Sequence, residues 1–298
     1  MARWWLLSIL LAIWLALGCL LFGPRRVEAV SNAPAATAPA RIVSAAPNLT
    51  EILFALGLGE QIAGVTQGSN YPPEAAQKPT VGTFWQPNIE TVIAARPDLV
   101  VLLTFPQQQS LAGRLRRLGI YCLTLEIWTV DDLFGAIATL GGATGKEQAA
   151  QRLVADIKTR IQQLQTRLVG KKRTKVLWVV QREPLRVAGR NTFVNELIEL
   201  AGGENAIGPT LHKYPPIGGE QVLACGAEVI IEPAMMPDLI ESQRTQALAY
   251  WQRFANVPAV TDGRIHVIDG DIVSRLGPRL YQAVETIARC LRPELFGE

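Results

Sequence analysis

Few residues in this chain are placed to do covalent chemistry. The histidines are His212 and His266, and the cysteines beyond the N-terminal apolar run are Cys122, Cys225 and Cys290. No cysteine has a CxxC partner or a nearby histidine, so the spacing supports no zinc site, and each lies in an apolar run where a buried, inert thiol is the default. There is no GxSxG elbow, no HExxH, no Walker-type loop and no GxGxxG after a strand, so nothing positive supports catalysis. What does recur is one acidic residue in a fixed setting. From Glu90 the string runs ETVIAARPDLVVL; from Glu220, 130 residues on, it runs EQVLACGAEVIIE. Both open with a glutamate, keep the same apolar spacing and finish in a strand pattern.

A carboxylate repeated together with its helix and strand implies two similar α/β lobes. The folded region opens with RIVSAAPNLTEILFALGLGEQIAGV. Here Arg41 to Ala45 reads as a short strand, and Asn48 with Glu51 three residues later reads as a capping box before an apolar-periodic helix. NELIELAGGE from Asn195 echoes TEILFALGLGE from Thr50 at an offset of 145 rather than 130, so the lobes differ in loop length. Between the halves, Lys146 to Gly170 contains no glycine or proline before its end and spaces Leu153, Ile157, Ile161, Leu164 and Leu168 by three or four residues. That spacing predicts one helix of over roughly 30 Å, a stiff joint between lobes. The expected organisation is an N-terminal lobe over 41–145, a bridging helix over 146–170 and a C-terminal lobe over 171–298.

With 298 residues, 49% hydrophobic and 18% charged, the chain can bury a sizeable core. A net charge of +3, with basic spots only at KKRTK from Lys171 and RLRR from Arg114, reads as helix-end charge and gives no nucleic-acid surface. Residues 1–29 form a signal or anchor segment: Arg3, an apolar run to Phe22, then GPRR. LALGC resembles a lipoprotein cleavage box ending at Cys19, VEA ending at Ala29 suits an ordinary signal peptidase, and the apolar run approaches the ~20 residues that span a bilayer. Arg25 and Arg26 sit on the wrong side for an uncleaved anchor. All three readings export the chain. The small, Pro-rich stretch 30–40 is a tether, which favours membrane attachment through Cys19.

The motifs PNLTEILFALG, NYPP, NIETVIAARPDLVV, GGEQVLA and GPRL, set around one long helix, resemble the substrate-binding proteins of bacterial ABC importers for siderophores, haem and cobalamin. The resemblance covers about Arg41 to Leu295. Within the family the run NYPPEAAQKPTVGTFWQPNIE is most similar to the cobalamin-binding branch. The resemblance implies two α/β lobes bridged by a single long helix, a ligand cleft between them, no resident cofactor and no metal site. Its partners would be a permease dimer with ATPase subunits, met through Glu90 and Glu220, one per lobe. Helix-start position alone also favours acidic residues, but the matched placement in both repeats supports docking. By the same resemblance, Phe84 or Trp85 and Tyr214 would pack on a corrin, with Asp271 and Arg275 as polar positions near the ligand. The pattern departs from the cobalamin binders at Gly68, where they carry a further aromatic. Ala201 replaces the cysteine they pair with one in the last helix, the position of Cys290. His212, beside Tyr214, keeps a haem ligand open, and a ferric siderophore would call for more arginine and tyrosine. A two-lobe α/β enzyme and a purely structural anchored domain are the readings of other classes.

Overall fold

The computed structural model describes residues 38–234 and 236–297. The segment 1–29, Cys19 within it and most of the tether 30–40 lie outside the described residues. Among the described residues no helix is long and apolar enough to cross a membrane.

Strand β3 (Leu99–Leu103, LVVLL) is buried at every residue, as expected of a parallel strand covered on both faces. With β1 (Ile42–Ser44), β2 (Ile62–Val65) and β4 (Cys122–Leu125) it forms a parallel sheet of order β2-β1-β3-β4. Helices α1 (Pro47–Ala55), α2 (Ile89–Ala94) and α3 (Pro106–Arg117) lie in its crossovers, and α4 (Val130–Thr144) leads away from β4. Thr129 and Asp132 form a reciprocal capping box that starts α4. Gly145, at φ 66°, ends it and turns the chain.

After the 22-residue helix α5 (Glu147–Leu168), the pattern is repeated. Strands β5 (Thr174–Arg182), β7 (Gly203–Asn205), β8 (Val229–Ala234) and β9 (Ile265–Asp269) pair in parallel, in the order β7-β5-β8-β9. An antiparallel strand β6 (Leu185–Val187) extends the far end of β5. The lobe's helices are α6 (Phe193–Leu200), α7 (Gly219–Ala224), α8 (Ile240–Trp251), α9 (Pro258–Thr261) and α10 (Gly270–Val273), with α11 (Leu280–Leu291) closing the fold.

The likeness of the halves reaches individual bonds. Asp98 enters β3 and accepts from the Ala40 and Arg41 amides at 2.8 and 3.0 Å. Glu228, 130 residues later, enters β8 and accepts from the Lys175 amide at 2.8 Å. Each carboxylate thereby holds the start of the neighbouring strand. Arg96 (φ 49°) and Gly226 (φ 61°), also 130 apart, both turn through the left-handed region between helix and strand. Glycine does so without strain; arginine does not.

At 1.5 Å per residue α5 is about 33 Å long, and it buries Ala150, Ile157, Ile161 and Leu164. It packs against α4 on one side and α11 on the other. One buried apolar cluster runs from β1 and α1 through α5 to β5, β8 and α11, so the lobes share a core, while two smaller clusters cover their outer sheet faces. The result is an α/β fold of two similar lobes bridged by one long helix.

The capping box expected at Asn48 and Glu51 does not form. Ala46 is the N-cap of α1 and contributes no side-chain bond. The Asn48 amide instead donates to the Leu276 carbonyl in the other half, at 3.1 Å. Glu51, only 3% exposed, accepts from Arg279 Nε at 2.9 Å and Nη2 at 2.6 Å. A buried carboxylate must be paired, and a guanidinium supplies two parallel donors, so the tertiary bond overrides the local one. Glu196 of α6, the residue that aligns with Glu51, accepts from the Val130 amide of α4 at 2.8 Å. Each lobe thus sends one glutamate from the equivalent helix into the other.

Candidate functional site

The loops at the carboxyl ends of the parallel strands in both lobes face a single cleft of about 730 Å³, the place where ligands lie in open α/β sheets. From the first lobe come Pro47 and Asn48 after β1, Gln67 to Asn70 after β2, the Phe84–Trp85 turn, Phe105 after β3 and Trp128 after β4. From the second come Phe193 after β6, the Tyr214 loop, Met236 and Asp238 after β8, and Asp271 and Arg275 after β9. All five cleft residues expected from the sequence, Phe84, Trp85, Tyr214, Asp271 and Arg275, line this one space.

Phe84 and Trp85 sit at the tip of a tight turn. Thr83 N donates to Gln86 O and Gln86 N to Thr83 Oγ1 across it, while Gly82 and Pro87 bridge its base. Gly82 has φ 105°, and a Cβ there would lie 2.6 Å from the Asn88 nitrogen, so only glycine allows the close approach. Buried Gln108 fixes the turn from behind: its Nε2 donates to the Ala45 and Phe84 carbonyls at 3.0 and 3.1 Å, and its Oε1 accepts from Leu103 N at 2.8 Å. Phe84 meets Trp85 and Phe105 edge to face at 4.7 and 5.3 Å between centroids, and Phe105 meets Trp128 at 5.1 Å. These four rings make an apolar wall. Phe105 and Trp128 were not singled out from the sequence, although each follows the end of an apolar strand, in TFP and IWT; strand ends in an α/β sheet were the available signal.

Another part of the lining is polar and mostly self-satisfied. Arg275 donates to Asp271 at 2.7 Å and to Asn70 Oδ1 at 2.9 Å, Asn70 Nδ2 donates to Asp271 Oδ2 at 2.9 Å, and Arg275 lies 3.5 Å from Glu51. Behind them the Arg279 guanidinium stacks on Tyr71, 4.2 Å from the ring centroid. This network joins the lobes along one side of the cleft. Elsewhere Lys213 reaches across to the Trp128 ring, 4.7 Å from its centroid. Among the described lining residues the formal charges are Lys213 and Arg275 against Asp238 and Asp271, so they cancel.

Burial raises the Tyr214 phenol above its ordinary value, and it stays protonated at neutral pH. His212 is exposed and lies outside the cleft lining, so it does not stand with Tyr214 as a second donor into the cleft. Burial pushes the Cys122 thiol up to about 11, out of the range of a reactive thiolate. Among the described residues no group of three or more metal-ligating side chains comes together.

Glu90 and Glu220 lie away from the cleft, both exposed, each the second residue of a six-residue helix. The α2 start is capped by Asn88 Oδ1, which accepts from the Glu90 and Thr91 amides; at α7, Gln221 Oε1 accepts from Gly218 N. Phe84 stands six residues before Glu90, and Tyr214 six before Glu220. The repeat therefore couples a cleft aromatic to an exposed carboxylate within one short segment in both lobes.

Residues 42–272 match the family model described as periplasmic binding protein. A vitamin B12-binding protein of Pectobacterium carotovorum is 30% identical over 84% of this chain and 87% of its own. YvrC of Bacillus subtilis, an ABC transporter substrate-binding lipoprotein, is 29% identical over 87% of this chain and 82% of its own. The periplasmic heme-binding protein RhuT from Roseiflexus sp. RS-1, in its apo form, superposes with a TM-score of 0.73 at 27% identity, covering 86% of this chain and 98% of that one. The chain belongs to the periplasmic binding protein family, in the class that includes vitamin B12- and heme-binding members.

Proposed function

We propose that this protein is the substrate-binding component of an ABC importer, capturing a cobalamin-type corrinoid outside the cytoplasmic membrane and delivering it to a permease dimer with its ATPase subunits. It binds without chemistry, and Cys19 is its lipid anchor, a reading supported by the lipoprotein relative. The observation that carries the ligand assignment is the cleft itself: a wall of four aromatic rings, charges that cancel, and polar groups already bonded to one another. Such a site suits a large, flat ligand with apolar faces and little net charge. It does not suit a polyanionic chelate, which needs several unpaired guanidinium groups.

Tyr214 in the cleft and the heme-binding neighbour favour haem as the second reading. Against it, burial holds the phenol protonated, and a phenolate ligand to iron must lose that proton. The shared core and the cross-lobe bonds imply small lobe movement, so ligand release depends on the permease. Phe84 and Tyr214 sit on the segments that carry Glu90 and Glu220, so force applied at the glutamates would act on the ligand's aromatic contacts. Replacing both glutamates, Glu90→Ala with Glu220→Ala, should abolish corrinoid uptake by cells while leaving ligand affinity unchanged. Loss of affinity in the purified variant would instead make these residues part of the cleft.

A further inference from the structure

We infer that Lys213 is a specificity-determining residue of the cleft: its ammonium stands at the edge of the aromatic wall to meet one anionic group on the rim of a flat ligand. In a corrinoid that group is the phosphodiester of the nucleotide loop. The inference deepens the corrinoid reading above and rests on it.

The sheet orders fix where the lobes touch across the cleft. In the first lobe, Asn70 follows β2 at one edge of the order β2-β1-β3-β4, and Trp128 follows β4 at the other. In the second, Asp271 and Arg275 follow β9 at one edge, whereas the Lys213 loop is bonded along the β6 edge. There Val187 N donates to Pro215 O at 3.2 Å, and Gly189 N to Lys213 O at 2.8 Å. A Cβ on residue 189 would lie 2.5 Å from Thr210 Oγ1 and 3.1 Å from Lys213 O, so glycine lets the loop sit this close. Asn70 bonds to Asp271 and Arg275, and Lys213 meets Trp128. The cleft is therefore bridged at both ends, by different chemistry.

The two end cations differ in what they can still offer a ligand. Arg275 is taken up by Asp271, Asn70 and Glu51. Lys213 makes no salt bridge among the described residues; its ammonium lies 4.7 Å from the Trp128 ring centroid. A ring face attracts an ammonium through its quadrupole, and the N–H groups turned away from the ring keep their capacity to donate. Trp128 also belongs to the aromatic wall, 5.1 Å from Phe105 between centroids. A flat ligand seated on that wall thus brings its edge to the ammonium. Asp238, the remaining charge of the lining, follows β8, one strand nearer the β9 edge, and favours the anion at the Lys213 end. One available cation matches one anion. A corrinoid with its nucleotide loop carries a single phosphodiester, whereas a haem brings two carboxylates. An ammonium is a compact donor for a phosphate oxygen, and such a bond is charge-assisted.

The test is calorimetric titration of the full-length chain with cyanocobalamin and with dicyanocobinamide, which keeps the corrin ring and lacks the phosphodiester. Lys213→Met should weaken cyanocobalamin binding about three- to tenfold and leave dicyanocobinamide binding unchanged. Lys213→Arg should keep most of the cyanocobalamin affinity. Added salt should weaken cyanocobalamin binding to the unaltered chain more than to Lys213→Met. An equal loss for both ligands would make Lys213 a strap between the lobes, and no loss for either would make it a bystander; both results overturn the inference and leave the corrinoid reading standing. If the unaltered chain binds neither compound, the corrinoid reading falls and the phosphodiester assignment falls with it.

Discussion

The bond between Glu51 and Arg279 is the most exposed to test. It joins residues 228 apart, with two hydrogen bonds of 2.9 and 2.6 Å, and the carboxylate side chain is only 2% accessible. Glu51→Gln keeps the shape but removes the charge, leaving Arg279 as an uncompensated buried cation. Breaking such a pair from one side costs about 3–5 kcal/mol. Arg279 keeps its stacking on Tyr71 and a bond to the Asp271 carbonyl, which places the expected loss at the low end, about 3 kcal/mol. For a domain of this size that is a fall of about 6–12 °C in melting temperature. The assay is thermal unfolding of the purified chain by circular dichroism. Glu51→Leu with Arg279→Met should recover most of the loss, because the buried pair itself contributes little net stability against an apolar replacement. Glu196→Gln serves as the contrast: its partner is a backbone N–H and its carboxyl is already raised by burial, so the amide substitutes for it at a cost of about 1 kcal/mol or less. A loss under 1 kcal/mol for Glu51→Gln, or one equal to that for Glu196→Gln, would refute the argument that a buried charge pair locks the lobes.

Three further outcomes follow from single sites. Arg96→Gly should raise stability by about 1 kcal/mol, because φ 49° is strained for arginine and free for glycine; a drop in melting temperature would contradict this. Gln108→Ala should cost about 2–3 kcal/mol, since it leaves the buried Leu103 amide and the Ala45 and Phe84 carbonyls without their partner, and ligand titration should show weaker binding as the Phe84 turn loosens. Glu232 is held above the ordinary carboxyl value by burial, against the pull of its bond from Trp251 Nε1. Its native form binds a proton more tightly than its unfolded form, so it favours stability below about pH 4.5 and loses that contribution as pH rises through the folded value. Glu232→Gln should flatten the decline in melting temperature as pH rises above the ordinary carboxyl value of 4.5, and an unchanged slope would assign the decline elsewhere.

Much of the architecture was legible because it is local. The apolar run of β3, the helix periodicity of α5 and the repeated glutamate settings depend on residues near one another in sequence. The aromatics Phe84, Trp85 and Tyr214 came from the family resemblance, and the fold places all three in the cleft lining. What the sequence concealed were the bonds between distant segments. Asn48 and Glu51 have the local signature of a cap, yet both are taken by residues more than 220 positions away, because burial at the lobe interface decides their partners. Gln108 looks like one of three glutamines on a surface helix until the fold brings Ala45, Phe84 and Leu103 around it. Phe105 and Trp128 became visible as a pair only when adjacent parallel strands aligned their ends.

The ligand decides the account. Among the described tryptophans, Trp85 and Trp128 line the cleft, whereas Trp178 and Trp251 are buried in the lobes, so intrinsic fluorescence reports on cleft occupancy. The most direct measurement is a titration of the purified chain with cyanocobalamin, with haem and with a ferric siderophore. The account predicts saturable quenching by cyanocobalamin, reduced when Trp85 and Tyr214 are replaced by alanine, and none by the siderophore. Saturable binding of haem alone, with a Soret shift lost on replacing Tyr214, would contradict the corrinoid assignment.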